Sequence, residues 1–317
     1  MEPHQTPELL ASVIVPSRGG RQRLGTLMRC FEAQDETRFE VVVVIDGDID
    51  DSEGLLRARE TDVPITIVTF PENRGRSAAL NAGLAAARGH VLVRCDDDLE
   101  PAPDYVRRHV AAHDGGEQAV VGLYRNLFPD TPYARVYGAR ADESFRDTAY
   151  RVPADTAWRY WAGNVSVTRA VADQVGGYDE NFRAYGWEDV DWGHRLHLLG
   201  IPVILDHGLE TVHRLSAVTA ASRVERAFFS GAARRQFVRK HERPDLAPQP
   251  PHSAWTRLVS LVARGLTESR ARRAGGMADA LAGRLPARVG RTLIGLLVES
   301  ANEAGYRHGT VTDPAAV

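Results

Sequence analysis

Short hydrophobic runs alternate with helical spacing along the first 125 residues. Ser12–Pro16, Glu40–Asp46, Pro64–Phe70, His90–Cys95 and Gln118–Tyr124 are Val/Ile-rich or bounded by turn residues, as buried strands are. Between the first two, Leu24, Leu27, Met28 and Phe31 recur at i, i+3, i+4 and i+7, one face of a helix. An Ala-rich helix over Arg76–Arg88 closes at Gly89, and Pro101 and Pro103 open another that runs to about His113 before Gly115 and Gly116. Such alternation predicts an α/β fold with a mostly parallel, Rossmann-like sheet and helices on both faces.

From Leu127 to Tyr160 the pattern dissolves into polar, Pro- and Gly-punctuated sequence, read as a long loop with short elements that serves as a lid or binding segment. Regular structure returns with helices over Thr168–Val175 and Val190–Leu199, a strand over Ile201–Leu205 and a helix over about Arg223–Glu242. Pro244, Pro248, Pro250 and Pro251 mark a linker, and residues 252–317 read as a helical extension with a flexible end.

The 317 residues are 43% hydrophobic and 26% charged, an ordinary globular balance with room for two domains or one large α/β domain with an extension. A net charge of −3 argues against nucleic acid as a partner. Cys30 and Cys95 support neither a disulfide framework nor a zinc ribbon, so a reduced, cytoplasmic setting is expected. The acidic, Pro-containing start does not read as a signal peptide, and the longest apolar runs, Val41–Ile45 and Leu293–Val298, fall short of the roughly 20 residues of a membrane span. Lys240 is the single lysine, a bias of GC-rich bacterial genomes without mechanistic weight. Residues 252–310 hold nine arginines against Glu268, Asp279, Glu299 and Glu303, an excess of +5. That excess fits peripheral contact with an anionic membrane; the plainer reading is the solvated face of packed helices.

Several signals fail on inspection. Gly20 to Thr26 imitates a phosphate loop but lacks its Lys. Asp46, Asp48 and Asp50 imitate an EF-hand, yet Asp51 and Arg57 stand where Gly and Glu belong. No Gly-x-Gly-x-x-Gly follows the first strand, which argues against a dinucleotide. His109 and His113 are helix neighbours without a third ligand and read as surface histidines.

Two stretches carry chemistry. Cys95-Asp-Asp-Asp-Leu-Glu100 follows directly on an apolar strand, so its acids belong at the C-terminal edge of the sheet, where open α/β folds bind ligands. Two carboxylates about 6 Å apart repel by about 3 kcal/mol at an effective dielectric near 20, and a divalent cation, Mg²⁺ or Mn²⁺, relieves that repulsion. One capping Asp would suffice for the helix that follows. The second stretch, Tyr185-Gly-Trp-Glu-Asp-Val-Asp-Trp192, sets two indoles among three acids. Aromatic faces stack on sugar rings, carboxylates accept from their hydroxyls, and an acid in a partly apolar place has a raised pKa suited to a general base.

In this order the motifs resemble the GT-A-fold glycosyltransferases of family 2, over most of residues 10–215. Val13-Ile-Val-Pro-Ser-Arg18 looks like the first strand and nucleotide loop, Val43-Val-Ile-Asp46 like the second strand, and Glu72–Gly83 like the segment beside the donor. Asp96-Asp97-Asp98 is similar to the DXD motif; Ala162-Gly-Asn164, Gly176–Glu180 and Gly186–Asp189 are similar to the acceptor half. Gly47-Asp48-Ile49 departs from the usual Gly-Ser/Thr, which touches base or ribose selectivity.

The resemblance implies a domain over residues 1–243, with a nucleotide-sugar half at about 10–125 and an acceptor half at about 126–243, then a linker over 244–251. It implies donor contacts from Pro16, Ser17, Arg18, Asp46, Asn73, Arg76, Asp96 and Asp97, and acceptor contacts from Trp161, Gly163, Asn164, Trp187 and Glu188. Asp98 and His213 would ligate Mn²⁺ or Mg²⁺, and Asp189 would be the catalytic base. The implied reaction moves a sugar from a nucleotide sugar, a UDP-sugar by preference, to a hydroxyl of a saccharide, glycolipid or secondary metabolite, with inversion. The alternatives are a retaining transferase, a non-catalytic nucleotide-sugar binder and a sugar nucleotidyltransferase.

Overall fold

The structure is a computed structural model that describes residues 9–183, 186–214 and 217–309. The chain divides into two compact units: Met1–Arg125 with Ala149–Glu180 and Asp189–Arg214, and Asn126–Thr148 with Asn181–Glu188 and Leu215–Val317.

The first unit is built on seven strands in the order β3-β2-β1-β4-β8-β6-β9. These are β1 (Ala11–Ser17), β2 (Phe39–Asp46), β3 (Ile65–Phe70), β4 (Val91–Cys95), β6 (Ala119–Val121), β8 (Asn164–Thr168) and β9 (Val203–Leu205). β5 (Leu99–Glu100), β10 (Thr211–His213) and β7 (Tyr124–Asn126) form a small second sheet in the order β5-β10-β7. Every residue of β2 and β4 is buried, so their Val41–Ile45 and Val91–Val93 read as apolar runs without alternation. β1 lies parallel to both, with Val13 opposite Val41 and Val93. The helices α1 (Arg21–Glu32), α2 (Ser52–Arg57), α3 (Arg76–Ala86) and α4 (Tyr105–Ala111) fill the connections. α1 buries Leu24, Leu27, Met28 and Phe31, the stripe its spacing predicts.

The predicted α/β class and mostly parallel sheet are both observed. The departure is β8, which runs antiparallel to β4 and β6. Its Asn-Val-Ser-Val-Thr alternates two Val with three polar residues, yet all five are buried, so its period gave no apolar run to read. The expected loop over 127–160 also holds more structure. A π-helical turn over Ala134–Gly138 leads into α5 (Ala139–Ala149), and a 3₁₀ segment spans Ala154–Tyr160. α5 buries only Ala149, so it carries no apolar stripe for periodicity to reveal. His109, expected at the surface, is fully buried: its ring meets Ser166 Oγ at 2.9 Å and Asn164 Oδ1 at 3.1 Å, and burial pushes its pKa down to about 3. α6 (Arg169–Val175) and α7 (Trp187–Leu198) follow β8 in the chain.

The core of the second unit is helical, from α8 (Ala220–Lys240), α9 (Ala254–Gly265), α10 (Glu268–Ala282) and α11 (Ala287–His308). Val224, Phe228, Phe229, Ile294 and Leu297 are buried together in its core. No helix among the described residues is long and apolar enough to cross a membrane. The start of α8 is held twice. Thr219 and Ser222 form a capping box, and the Asp279 carboxylate of α10 accepts from the amides of Ala220 at 2.7 Å and Ala221 at 3.0 Å. Asp279→Ala strips that second set of acceptors; we expect a loss of about 1–2 kcal/mol in denaturant unfolding. An unchanged midpoint would place the stability of α8 elsewhere.

Candidate active site

The C-terminal ends of β1, β2 and β4 gather most of the expected donor residues. Asp46, last in β2, is buried and accepts from the amides of Arg74 at 2.6 Å and Gly75 at 2.9 Å. It thereby fixes the turn into α3, in which Asn73 Oδ1 also accepts from Gly75 N at 3.0 Å. Arg76, first in α3, sits 3.5 Å from the Asp96 carboxylate. Asp48 and Asp50 hold the next turn: Asp48 accepts from the amides of Ser52 and Glu53, and Asp50 from that of Arg21, which ties α1 to α2. Pro16 is half-buried near the end of β1. Beyond it, Arg18 has a buried Nη1 with no hydrogen-bond partner. An orphaned buried donor is costly unless something else accepts from it.

The three aspartates divide. Asp97 turns toward β1, where Ser17 Oγ donates at 2.5 Å and Arg23 donates from Nε at 3.0 Å and Nη2 at 2.9 Å. Gly20 leaves room for this cluster, since a Cβ there would overlap Ser17 Oγ and Asp97 Oδ2. Burial raises the Asp97 pKa, against the pull of Arg23. Asp98 meets His213 instead, Oδ2 to Nε2 at 3.0 Å, because β5 pairs antiparallel with β10 and sets His213 opposite Leu99. The His213 ring lies 4.8 Å from that of Tyr124.

Asp96 faces Arg94, which donates to Oδ1 from Nε at 3.2 Å and Nη2 at 3.1 Å. Burial would raise the Asp96 pKa, but Arg94 and Arg76 outweigh it and hold the carboxyl below its usual range. Arg94 Nη1 also pairs with Asp189 Oδ1. One guanidinium, 4% exposed, thus joins the first aspartate of the triplet to the expected base. Burial raises the Asp189 pKa, with Arg94 opposing. Sequence reading passed over Arg94 as a strand residue; a lone charge inside an apolar strand is the signal that marks it.

β8 closes the corner. Asp96 N donates to Gly163 O at 2.9 Å, and a Cβ on Gly163 would overlap the Asp96 carboxylate. Asn164 is buried: its Oδ1 accepts from Tyr105 Oη at 2.9 Å, and its Nδ2 donates to Leu209 O at 2.8 Å and Thr211 Oγ1 at 3.1 Å. Trp161 is buried as well, donating to Tyr178 Oη at 3.0 Å with its ring 4.8 Å from Trp192. Trp187 and Glu188 fall in the second unit. Trp187 Nε1 donates to Ser230 Oγ at 3.1 Å and its ring lies 5.1 Å from Phe237, while Glu188 is buried and accepts from Gly186 N at 2.9 Å. Tyr185 and residues 310–317, the end expected to be flexible, lie outside the described residues.

No group of three or more His, Cys, Asp and Glu among the described residues is arranged to hold a metal ion. The Asp98–His213 pair offers one carboxylate and one imidazole. The carboxylate would suit Mg²⁺ or Mn²⁺, and the imidazole is the softer of the two donors.

Residues 12–176 match the family model described as glycosyl transferase family 2. The chain belongs to that family. Residues 144–217 also match the model described as the N-terminal domain of galactosyltransferase. A validoxylamine A glucosyltransferase of Streptomyces hygroscopicus subsp. jinggangensis is 30% identical over 275 residues, 76% of this chain and 62% of that protein. An uncharacterized glycosyltransferase of Bacillus subtilis, YfnE, is 27% identical over 252 residues, 64% of each chain. The chain thus spans a little under two thirds of the length of these curated relatives. Among solved structures, the mannosyltransferase PcManGT from Pyrobaculum calidifontis, in complex with GDP-Man and Mn²⁺, superposes with a TM-score of 0.60 at 22% identity, covering 94% of this chain and 88% of that one. S. aureus TarS 1-349 in complex with UDP-GlcNAc gives 0.54 at 13% identity, covering 94% and 92%. Both likenesses establish the fold that this family 2 member shares with them.

Arg94→Gln would leave Asp96 and Asp189 buried without their shared cation. We expect a loss of about 3–5 kcal/mol in urea unfolding near neutral pH. Without Arg94 both carboxyl pKa values rise, so acidification should return part of that loss to the variant as protonation removes the stranded charge. A variant as stable as wild type at pH 7.5 would remove the bridge from the account of this site.

Proposed function

We propose that this family 2 member transfers a sugar from a nucleoside-diphosphate sugar, a UDP-sugar by preference, to an acceptor hydroxyl with inversion. The reading rests on one observation: Arg94 ties Asp96, beside the Asp98–His213 pair, to Asp189. Donor-side and base-side carboxylates thereby share a single buried cation. The orphaned Nη1 of Arg18 and the nearby Arg76 offer donors to a diphosphate or a base. TarS, of the same fold, carries UDP-GlcNAc in its solved complex, which favours a uridine donor; the GDP-Man complex of PcManGT favours guanosine as the second reading. The acceptor is a hydroxyl of a saccharide, glycolipid or secondary metabolite, and the name of one relative gives validoxylamine A as the compound it glucosylates.

Asp189 takes the proton from the acceptor hydroxyl as that oxygen attacks the anomeric carbon from the face opposite the departing diphosphate. Arg94 holds its carboxylate in place, and burial gives it a raised affinity for the proton. Asp98 and His213 would hold Mn²⁺ or Mg²⁺, which as a Lewis acid stabilises charge on the leaving diphosphate. Arg76 and Arg18 would bind and orient the donor.

Asp189→Asn should lower turnover on the order of 10²–10⁴-fold while donor affinity, read by calorimetry, stays intact. Because the Asp189 pKa lies above that of an ordinary carboxyl, wild-type kcat should fall on acidification already at a pH above the usual carboxylate range. An Asn variant at wild-type turnover would exclude Asp189 as the base. Asp98→Ala, or EDTA treatment of wild type, should weaken UDP-sugar binding by about tenfold or more, about 1.4 kcal/mol. Donor affinity indifferent to both would dismiss the metal pair, and tighter binding of GDP than UDP would hand the donor to guanosine.

A further inference from the structure

The second unit contains a cavity of about 450 Å³ between α8, α9, α11 and the Pro-containing segment over residues 248–252. Its volume is in the range of small-molecule sites. Arg223, Arg226, Ser230 and Arg234 line it from α8 at helical spacings of three, four and four, which puts three guanidinium groups along one wall. Arg234 is half-buried, and burial lowers its pKa. Its Nε donates to Leu246 O at 2.5 Å and its Nη1 to Asn302 Oδ1 at 3.1 Å, so its hydrogen-bonded partners are both neutral. Three guanidinium groups on one wall against two carboxylates favour an anionic occupant. Of the two acids of the lining, Glu299 accepts from Trp255 Nε1 at 2.8 Å, and Glu303 accepts from Ser260 Oγ at 2.6 Å and from Arg307 while its charge also acts on Arg234.

We infer that this cavity binds a small phosphorylated sugar or polyol. The phosphate would face the α8 guanidinium groups, which match its oxygens in bidentate geometry. A hydroxyl would face Ser230, which also lines the space. Ser230 already accepts from Trp187 Nε1, so an occupant reaches the residue at the start of α7 through one hydroxyl. The site goes beyond the proposed transfer reaction and stands whether or not that reading holds.

The test is calorimetric titration of the full chain with glucose 6-phosphate, beside glucose and inorganic phosphate. Saturable binding is expected, absent with glucose and weaker with phosphate alone. The Arg223→Gln/Arg226→Gln variant, checked by circular dichroism to unfold like wild type, should lose affinity by at least tenfold, while Asp98→Ala should retain it. No binding of glucose 6-phosphate, or binding kept in the double Gln variant, would overturn the inference. So would binding lost in Asp98→Ala, which would assign the phosphate to the first unit. Phosphate binding as tight as glucose 6-phosphate would overturn the sugar part of the claim.

Discussion

Two carboxylates share one buried guanidinium at the end of β4, and the geometry of the corner follows from that arrangement. Removing Asp96 and Asp189 from water is costly for each, and they repel one another. Arg94 lies between them and makes both ionised states tolerable in the interior. Its planar fork, with separate nitrogens for each acid, fixes where they sit as well as what charge they carry. Tyr178 backs it, with its ring centre 5.9 Å from the guanidinium carbon.

The acidic triplet works by division. The three residues form the turn between β4 and β5, closed by Leu99 N donating to Asp96 O at 3.2 Å, and a turn spreads successive side chains in different directions. Asp97 is directed into the α1 side, to Ser17 and Arg23, while its neighbours on either side remain at the edge of the sheet. The middle residue anchors the turn to the first strand. The outer two are left to Arg94, Arg76 and His213.

Much of this was legible before any coordinates. The apolar runs place β1 to β4, and the alternation with helices gives the sheet its mostly parallel character. The meeting of Asp98 with His213, 115 positions apart, followed from resemblance, since no local rule links them. What stayed hidden has physical causes. Arg94 was hidden by its strand, whose apolar neighbours set the pattern. Arg23 sits on a helix whose apolar stripe drew the reading elsewhere. β8 was hidden because its polar residues are buried against Tyr105, His109 and Leu209, so burial and hydrophobicity part company. α5 has no buried stripe at all, and only hydrogen-bonded backbone declares it.

The antiparallel course of β8 bears on how the protein is made. One side of β4 pairs with β1, but its other side is met only by residues 164–168, some seventy positions later. A nascent chain emerges in order, and contacts so distant in sequence close late. The aspartates leave the ribosome well before Gly163 and Asn164, so the carbonyl that receives the Asp96 amide arrives after the acids it must organise. Until then the growing chain carries an unpaired strand edge beside a cluster of negative charge, and that charge discourages the edge from pairing with other chains.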